Sequence, residues 1–229
     1  MLVGEAFRIL RSNVAVAIAD LDNPIVLVTS PEAGEGKTSV CAGLAASLAA
    51  AGRRVVAVDL DLRHPDLHHR LGGHNEFGAA DVLLDRRSLQ ECLQWIPVDS
   101  PTEGRGLYLL ATGEPVANPT DVLGGPRTQR LLRGLSEQAD IVLIDTPPVL
   151  PVADTLVIGR SAAGALLVVA SRLTEVPTAN RAKDALARNQ TRLLGVVLNR
   201  LADEDLGPHA YGYGGITGNG SAASDDDAR

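Results

Sequence analysis

Two hydrophobic periods alternate along the chain. The opening segment Glu5 to Leu21, "EAFRILRSNVAVAIADL", places apolar residues at helical spacing and stops before "DNP", which predicts an amphipathic helix. Short apolar runs follow: "PIVLVTS", "RRVVAVDLD", "GLYLLA", "DIVLIDT", "GALLVVAS" and "LLGVVLN". As short apolar runs they read as strands buried on both faces. Between them lie helical stretches such as Thr38 to Ala51, Pro126 to Gln138 and Thr178 to Arg188. This β-α alternation predicts an α/β fold, a doubly wound parallel sheet with helices on both faces, whose ligands bind at the C-terminal ends of the strands. From Ala202 the periodicity stops, and the Gly-, Ser- and Asp-rich segment "HAYGYGGITGNGSAASDDDAR" predicts a flexible, disordered C-terminal tail. The expected division is one domain over 1–201, with the opening helix over 1–21, and a tyrosine-bearing tail over 202–229.

With 229 residues, 45% of them apolar, the chain can bury one large core, and a second full domain would be cramped. No run approaches the roughly 18 to 20 apolar residues of a membrane span, and the N-terminus lacks a signal-peptide pattern, so a soluble, cytoplasmic chain is expected. Cys41 and Cys92 have no partners at metal-ligand spacing and read as buried small side chains. A formal charge of −7 argues against a general nucleic-acid binder, and Arg53, Arg54, Arg86, Arg87, Arg127, Arg130 and Arg133 read as solvated surface or subunit contacts. His64, His68 and His69 lack a completing ligand set and read as surface histidines around Pro65.

The chemistry concentrates in "SPEAGEGKTS", Ser30 to Ser39, set between a predicted strand and a predicted helix. Gly34 and Gly36 give the tight turn, and the backbone N–H groups of Gly34, Glu35, Gly36, Lys37, Thr38 and Ser39 would face phosphate oxygens at the helix start. Lys37 would reach the β- and γ-phosphates, and the Thr38 hydroxyl would serve Mg²⁺. The chain has only two lysines, Lys37 and Lys183, and one of them falls here. Pro31 occupies the place of the first glycine in the usual G-x-x-x-x-G-K-[ST] pattern. Two acids, Asp59 and Asp61, close the strand "RVVAVDLD", and Asp145 closes "DIVLID". All three fall at the sheet edge where the phosphate loop lies.

The combination of "SPEAGEGKT", "VVAVDLDLRHP" and "IVLIDTPPVLPVADT" resembles the Walker A, A′ and B motifs of the bacterial tyrosine kinases, the BY-kinases of capsule and exopolysaccharide export. The likeness extends over roughly residues 4 to 200. Pro31 is ordinary in that family, a deviant-Walker branch of the P-loop NTPases. The resemblance implies an ATP- and Mg²⁺-dependent kinase that phosphorylates itself on tyrosine. Lys37, Asp59, Asp61 and Asp145 would be its catalytic and metal-organising groups, with Asp59 the favoured base, and Asn199 would lie near the adenine. It also implies that Glu5, Arg8 and Arg11, matching E-x-x-R-x-x-R, build a homo-oligomeric ring, and that a membrane-bound activator holds the chain at the inner face of the membrane. The acceptors would be Tyr211 and Tyr213 in "YGYGG", a shortened form of the family's terminal tyrosine cluster, with Tyr108 locked inside its strand. Two alternatives stay open. A positioning ATPase would carry a signature lysine where this chain has Glu32, and an assembly module would bind ATP only to oligomerise.

Overall fold

A computed structural model describes residues 2–21 and 23–202. Seven strands form one sheet: β1 Ile25–Thr29, β2 Val55–Asp59, β3 Leu93–Pro97, β4 Gly106–Leu110, β5 Ile141–Asp145, β6 Gly164–Ala170 and β7 Leu193–Asn199. Their order is β3-β4-β2-β5-β1-β6-β7, and every pairing is parallel except β3 on β4. The helices are α1 Leu2–Ile18, α2 Lys37–Ala50, α3 Leu67–Leu71, α4 Ala79–Leu83, α5 Leu89–Cys92, α6 Pro119–Leu123, α7 Pro126–Ser136, α8 Asp154–Gly159 and α9 Val176–Arg188.

Side-chain alternation along the central strands divides the core in two. Val26, Val28, Val55, Ala57, Ile141 and Leu143 pack with the buried face of α2, whereas Ile25, Leu27, Val56, Val58, Val142 and Ile144 pack with α7, α8 and α9 on the opposite face. Asp59 and Asp145 continue the first of these rows, so they emerge on the side where α2 begins. Their Cα atoms are partners in the β2–β5 register. The helix α1 lies over α2, where the Phe7 ring fills the space above Gly43: a Cβ there would stand 2.1 Å from the ring.

The structure departs from the expected pattern in three places. The strand β3 was not foreseen, because "LQWIP" mixes Gln94, an exposed Trp95 and Pro97; those residues suit an antiparallel edge, where one face and one row of backbone groups meet solvent. The sheet is therefore mixed. The strand β7 is not buried on both faces, since it forms the other edge and exposes Val196 and Leu198. Tyr108 is not locked within β4: its ring is about half exposed and packs edge-on against Trp95 at 5.1 Å. Both cysteines are buried and free, as expected.

Candidate active site

The strand β1 ends at Thr29, and the turn from Ser30 to Gly36 delivers the chain to the first residue of α2. Gly34 and Gly36 adopt φ of 83° and 92°, the left-handed region that only glycine enters cheaply. At Gly36 space is also limiting, because a Cβ would stand 2.2 Å from Nδ2 of Asn199. No side chain caps α2, so the N–H groups of its first turn stay open to an anion. Glu35 turns its carboxylate inward, accepting the Glu32 N–H at 2.8 Å and the Thr174 hydroxyl. The loop is thus fixed from within, and its phosphate-facing role rests on the backbone. Asn199 donates from Nδ2 to the Glu35 carbonyl at 2.9 Å, which braces the loop from β7.

Lys37 stands at the centre of three acids. Its Nζ is 2.7 Å from Oδ2 of Asp61, 3.5 Å from Oδ2 of Asp145 and 3.2 Å from the Thr38 hydroxyl oxygen. Burial works to lower the pKa of this ammonium, but the charges of Asp145, Asp61 and Asp59 outweigh it, and the net direction is upward. Lys37 therefore stays charged.

The three acids are held differently. Asp59 is fully buried and accepts the backbone N–H groups of Asp61, Asp66 and Leu67 at 3.1 to 3.2 Å, pinning the turn that leads into α3. Burial pushes its carboxyl up to about 6, against the lowering by those hydrogen bonds. Asp61 bonds Lys37 with one oxygen and accepts the His64 N–H with the other at 3.1 Å. Asp145 is wholly buried, its two oxygens accept no hydrogen bond, and burial pushes its carboxyl up to about 7, although Lys37 pulls it back. A buried carboxylate that faces the Lys37 ammonium at 3.5 Å and lies beside Thr38 behind a phosphate loop fits the outer hydration shell of Mg²⁺, with the Thr38 hydroxyl as the protein's other oxygen near that position.

Sequence reasoning missed two side chains that complete this edge. Arg63, two residues past Asp61, donates to Asp154 at 2.7 and 3.2 Å and to the Thr120 hydroxyl at 3.1 Å. Asp154 is fully buried at the start of α8, and the Thr120 hydroxyl also bonds it. The clamp ties the segment after β2 to the segment after β5, so Asp61 and Asp145 are located relative to each other. The arginine in "DLDLR" and the acid in "PVADT" were both visible as letters; their pairing across 91 residues was not.

Among the remaining expected positions, Arg8 pairs with Glu5 at 2.5 Å on the exposed face of α1. Arg11 turns inward and donates to the Ser47 carbonyl at 3.0 Å. His68 is not a surface residue: it is buried at the start of α3 with its ring 4.0 Å from that of His69. Burial, together with the neighbouring His69, lowers its pKa. Tyr211 and Tyr213 lie outside the described residues.

This fold and this site define a P-loop nucleotide-binding domain. Residues 26–211 match the CobQ/CobB/MinD/ParA nucleotide binding domain family. Tyrosine-protein kinase YwqD of Bacillus subtilis (strain 168) is 34% identical over 219 residues, covering 95% of this chain and 89% of that protein. Tyrosine-protein kinase wzc of Salmonella typhimurium is 31% identical over 209 residues; those residues are 91% of this chain and 28% of that longer protein. The solved kinase domain of Escherichia coli tyrosine kinase ETK superimposes with a TM-score of 0.79 at 28% identity, covering 87% of this chain and 77% of that one. The chain belongs to the bacterial tyrosine kinases, a branch of that nucleotide-binding family.

Proposed function

We propose that this chain transfers the γ-phosphoryl group of ATP to tyrosine hydroxyls, its own among them, as the cytoplasmic catalytic part of a capsule or exopolysaccharide export system. The observation that carries the reading is the set of three buried carboxylates around Lys37 at the mouth of the phosphate loop. Kinship with tyrosine-protein kinases selects phosphotransfer over a positioning ATPase. Glu32, in the place of the positioning ATPases' signature lysine, supports the same choice.

In this reading the N–H groups from Gly34 to Ser39 hold the phosphates, and Lys37 neutralises charge on the β- and γ-phosphates. The phenolic oxygen forms a bond to the γ-phosphorus as the bond to the β–γ bridging oxygen breaks. ADP leaves, and the phenolic proton passes to a carboxylate. Asp61 suits that last role better than Asp59, whose oxygens are occupied by three backbone N–H groups. Mg²⁺, when bound, supplies charge neutralisation between the phosphates, and Thr38 with Asp145 would hold it and its water. Asn199 braces the loop and would lie close to the nucleotide's base side.

The acceptors are Tyr211 and Tyr213. The tail leaves the sheet beyond Asn199, at the nucleotide edge, and a dozen extended residues would reach up to about 40 Å. A ring built through α1 would present tails to neighbouring sites, and an activator of the co-polymerase type would hold the ring at the membrane. No helix among the described residues is long and apolar enough to cross a membrane.

The test mixes a Lys37→Met chain that keeps its tail with an active chain ending at Leu201, in labelled ATP, magnesium and activator. Phosphotyrosine on Tyr211 and Tyr213 of the inactive partner is the expected result. ATP hydrolysis by intact enzyme with no phosphotyrosine at all would replace the kinase reading with an ATP-binding assembly module.

A further inference from the structure

A second cavity, of about 180 Å³, opens at the edge of the sheet opposite the phosphate loop, where β2 and β4 begin. Arg53, Arg54 and Arg105 line it together with Trp95 and Tyr108. Arg54 is already neutralised, since its backbone N–H and guanidinium bond Asp140 at 2.7 to 3.0 Å. Arg105 is different. Its guanidinium lies on the backbone of Gly52, where a Cβ would come within 2.7 Å of a terminal nitrogen, and its Nε is buried without a hydrogen-bond partner. Among the described residues neither Arg53 nor Arg105 comes within 4.0 Å of a carboxylate, although the Arg53 charge is felt by Asp140. The aromatic wall is fixed as well: the Trp95 indole lies against Gly106, where a Cβ would meet it at 2.4 Å, and it packs edge-on against Tyr108.

Half-exposed aromatic rings beside guanidinium groups with no carboxylate of their own recognise a planar ring that carries an anion. The cavity is smaller than the roughly 300 to 1,000 Å³ of sites for drug-sized ligands, which suits one ring and one phosphate and excludes a whole nucleoside triphosphate. We propose that this pocket binds the aryl phosphate of a phosphotyrosine side chain, so that the chain reads its own class of product at a site remote from catalysis. The choice of phosphotyrosine as the source rests on the kinase reading; the aryl-phosphate chemistry rests on the pocket alone.

Trp95 is the only tryptophan of the chain, so its fluorescence reports the pocket directly. The full chain carrying Lys37→Met, which weakens phosphate binding at the loop and cannot label itself, is titrated with phenyl phosphate, inorganic phosphate, phenol and AMP. A synthetic phosphotyrosine peptide with the sequence of residues 207–215 is the fifth probe. Phenyl phosphate and the peptide should change the emission saturably, at concentrations at least tenfold below those needed for phosphate or phenol. Arg105→Gln should weaken both about tenfold. Arg53→Gln, a change at an exposed position, should weaken them by about threefold or more. An emission that ignores phenyl phosphate, or a response equal in both variants to that of the parent, overturns the site. Tighter binding of AMP than of phenyl phosphate overturns it in favour of a nucleotide pocket. Failure here with Tyr211 and Tyr213 still labelled in the intact enzyme discards the pocket and leaves the kinase reading standing.

Discussion

Lys37 and Asp61 are bonded to each other at 2.7 Å, so the ammonium that must grip phosphate is first held by an acid of its own site. Nucleotide binding has to exchange that partner for the β- and γ-phosphates. Lys37→Met should cut ATP turnover and phosphotransfer by about a hundredfold or more, since positioning and charge neutralisation supply most of the catalysis of phosphoryl transfer. Asp61→Asn should separate the two functions: magnesium-free ADP should bind at least as tightly as to the parent, while the single-turnover rate falls about a hundredfold. Calorimetry and rapid quench read the two halves. Weaker ADP binding in Asp61→Asn would show that the ion pair pre-organises Lys37 and does not compete with phosphate.

Asp59 gives a different expectation, because its oxygens accept three backbone N–H groups of the turn into α3. In Asp59→Asn an amide NH₂ would face one or more of those donors. A buried hydrogen bond to a charged group that is lost in this way costs about 1 to 3 kcal/mol. The melting temperature should therefore fall with or without nucleotide, by roughly 2 to 4 °C per kcal/mol for a chain of this size. An unchanged melting temperature with a lost rate would return Asp59 to the role of base.

For the Arg63–Asp154 clamp, burial acts to raise the Asp154 carboxyl, but the hydrogen bonds from Arg63 and Thr120 and the Arg63 charge outweigh it, and its pKa lies below the ordinary 3.8. A carboxyl depressed in the folded state stabilises above the unfolded value and loses that stabilisation as pH falls through the folded one. The Asp154 contribution should thus be intact at pH 5 and above and fade below about pH 4. Asp154→Asn should lose about 2 to 3 kcal/mol at pH 7, measured by urea unfolding, and the gap to the parent should narrow in acid. A gap constant from pH 7 to pH 3 would mean that packing, and not charge, holds the clamp.

These residues mark how far the sequence could be read. The phosphate loop was legible because its signal is local: two glycines, a lysine and a threonine between an apolar run and a helical one. The placing of Asp59 and Asp145 was legible because strand alternation has a period of two. Glu35 finds Thr174 across 139 residues and Arg63 finds Asp154 across 91, and no periodicity connects such pairs. The strand β3 escaped for a related reason. In "LQWIP" the two inward apolar residues, Leu93 and Ile96, belong to opposite faces of the strand and Trp95 is exposed, so five residues carry no alternation to recover. The residues that keep the acids in place were hidden more deeply than the acids.

The opening helix supports a last prediction. On α1 the exposed side chains Glu5, Arg8, Ile9, Ser12 and Val16 fall three or four apart and make one stripe, while Phe7, Arg11 and Val14 turn toward α2. Arg8 and Arg11 therefore have separate tasks. Arg8 pairs with Glu5 in solvent, where such a pair is worth at most about 1 kcal/mol, so Arg8→Ala should leave the melting temperature of the monomer unchanged. Arg11→Ala removes the hydrogen bond to the Ser47 carbonyl and should loosen α1 from α2. If the stripe is the ring interface, Arg8→Ala and Ile9→Asp should each lower the mass found by light scattering with ATP and magnesium present, before the tail is phosphorylated. Arg11→Ala should lower it too, but with a lower melting temperature. An unchanged mass in both Arg8→Ala and Ile9→Asp would remove α1 from the assembly, and transfer to Tyr211 and Tyr213 would then have to occur within one chain.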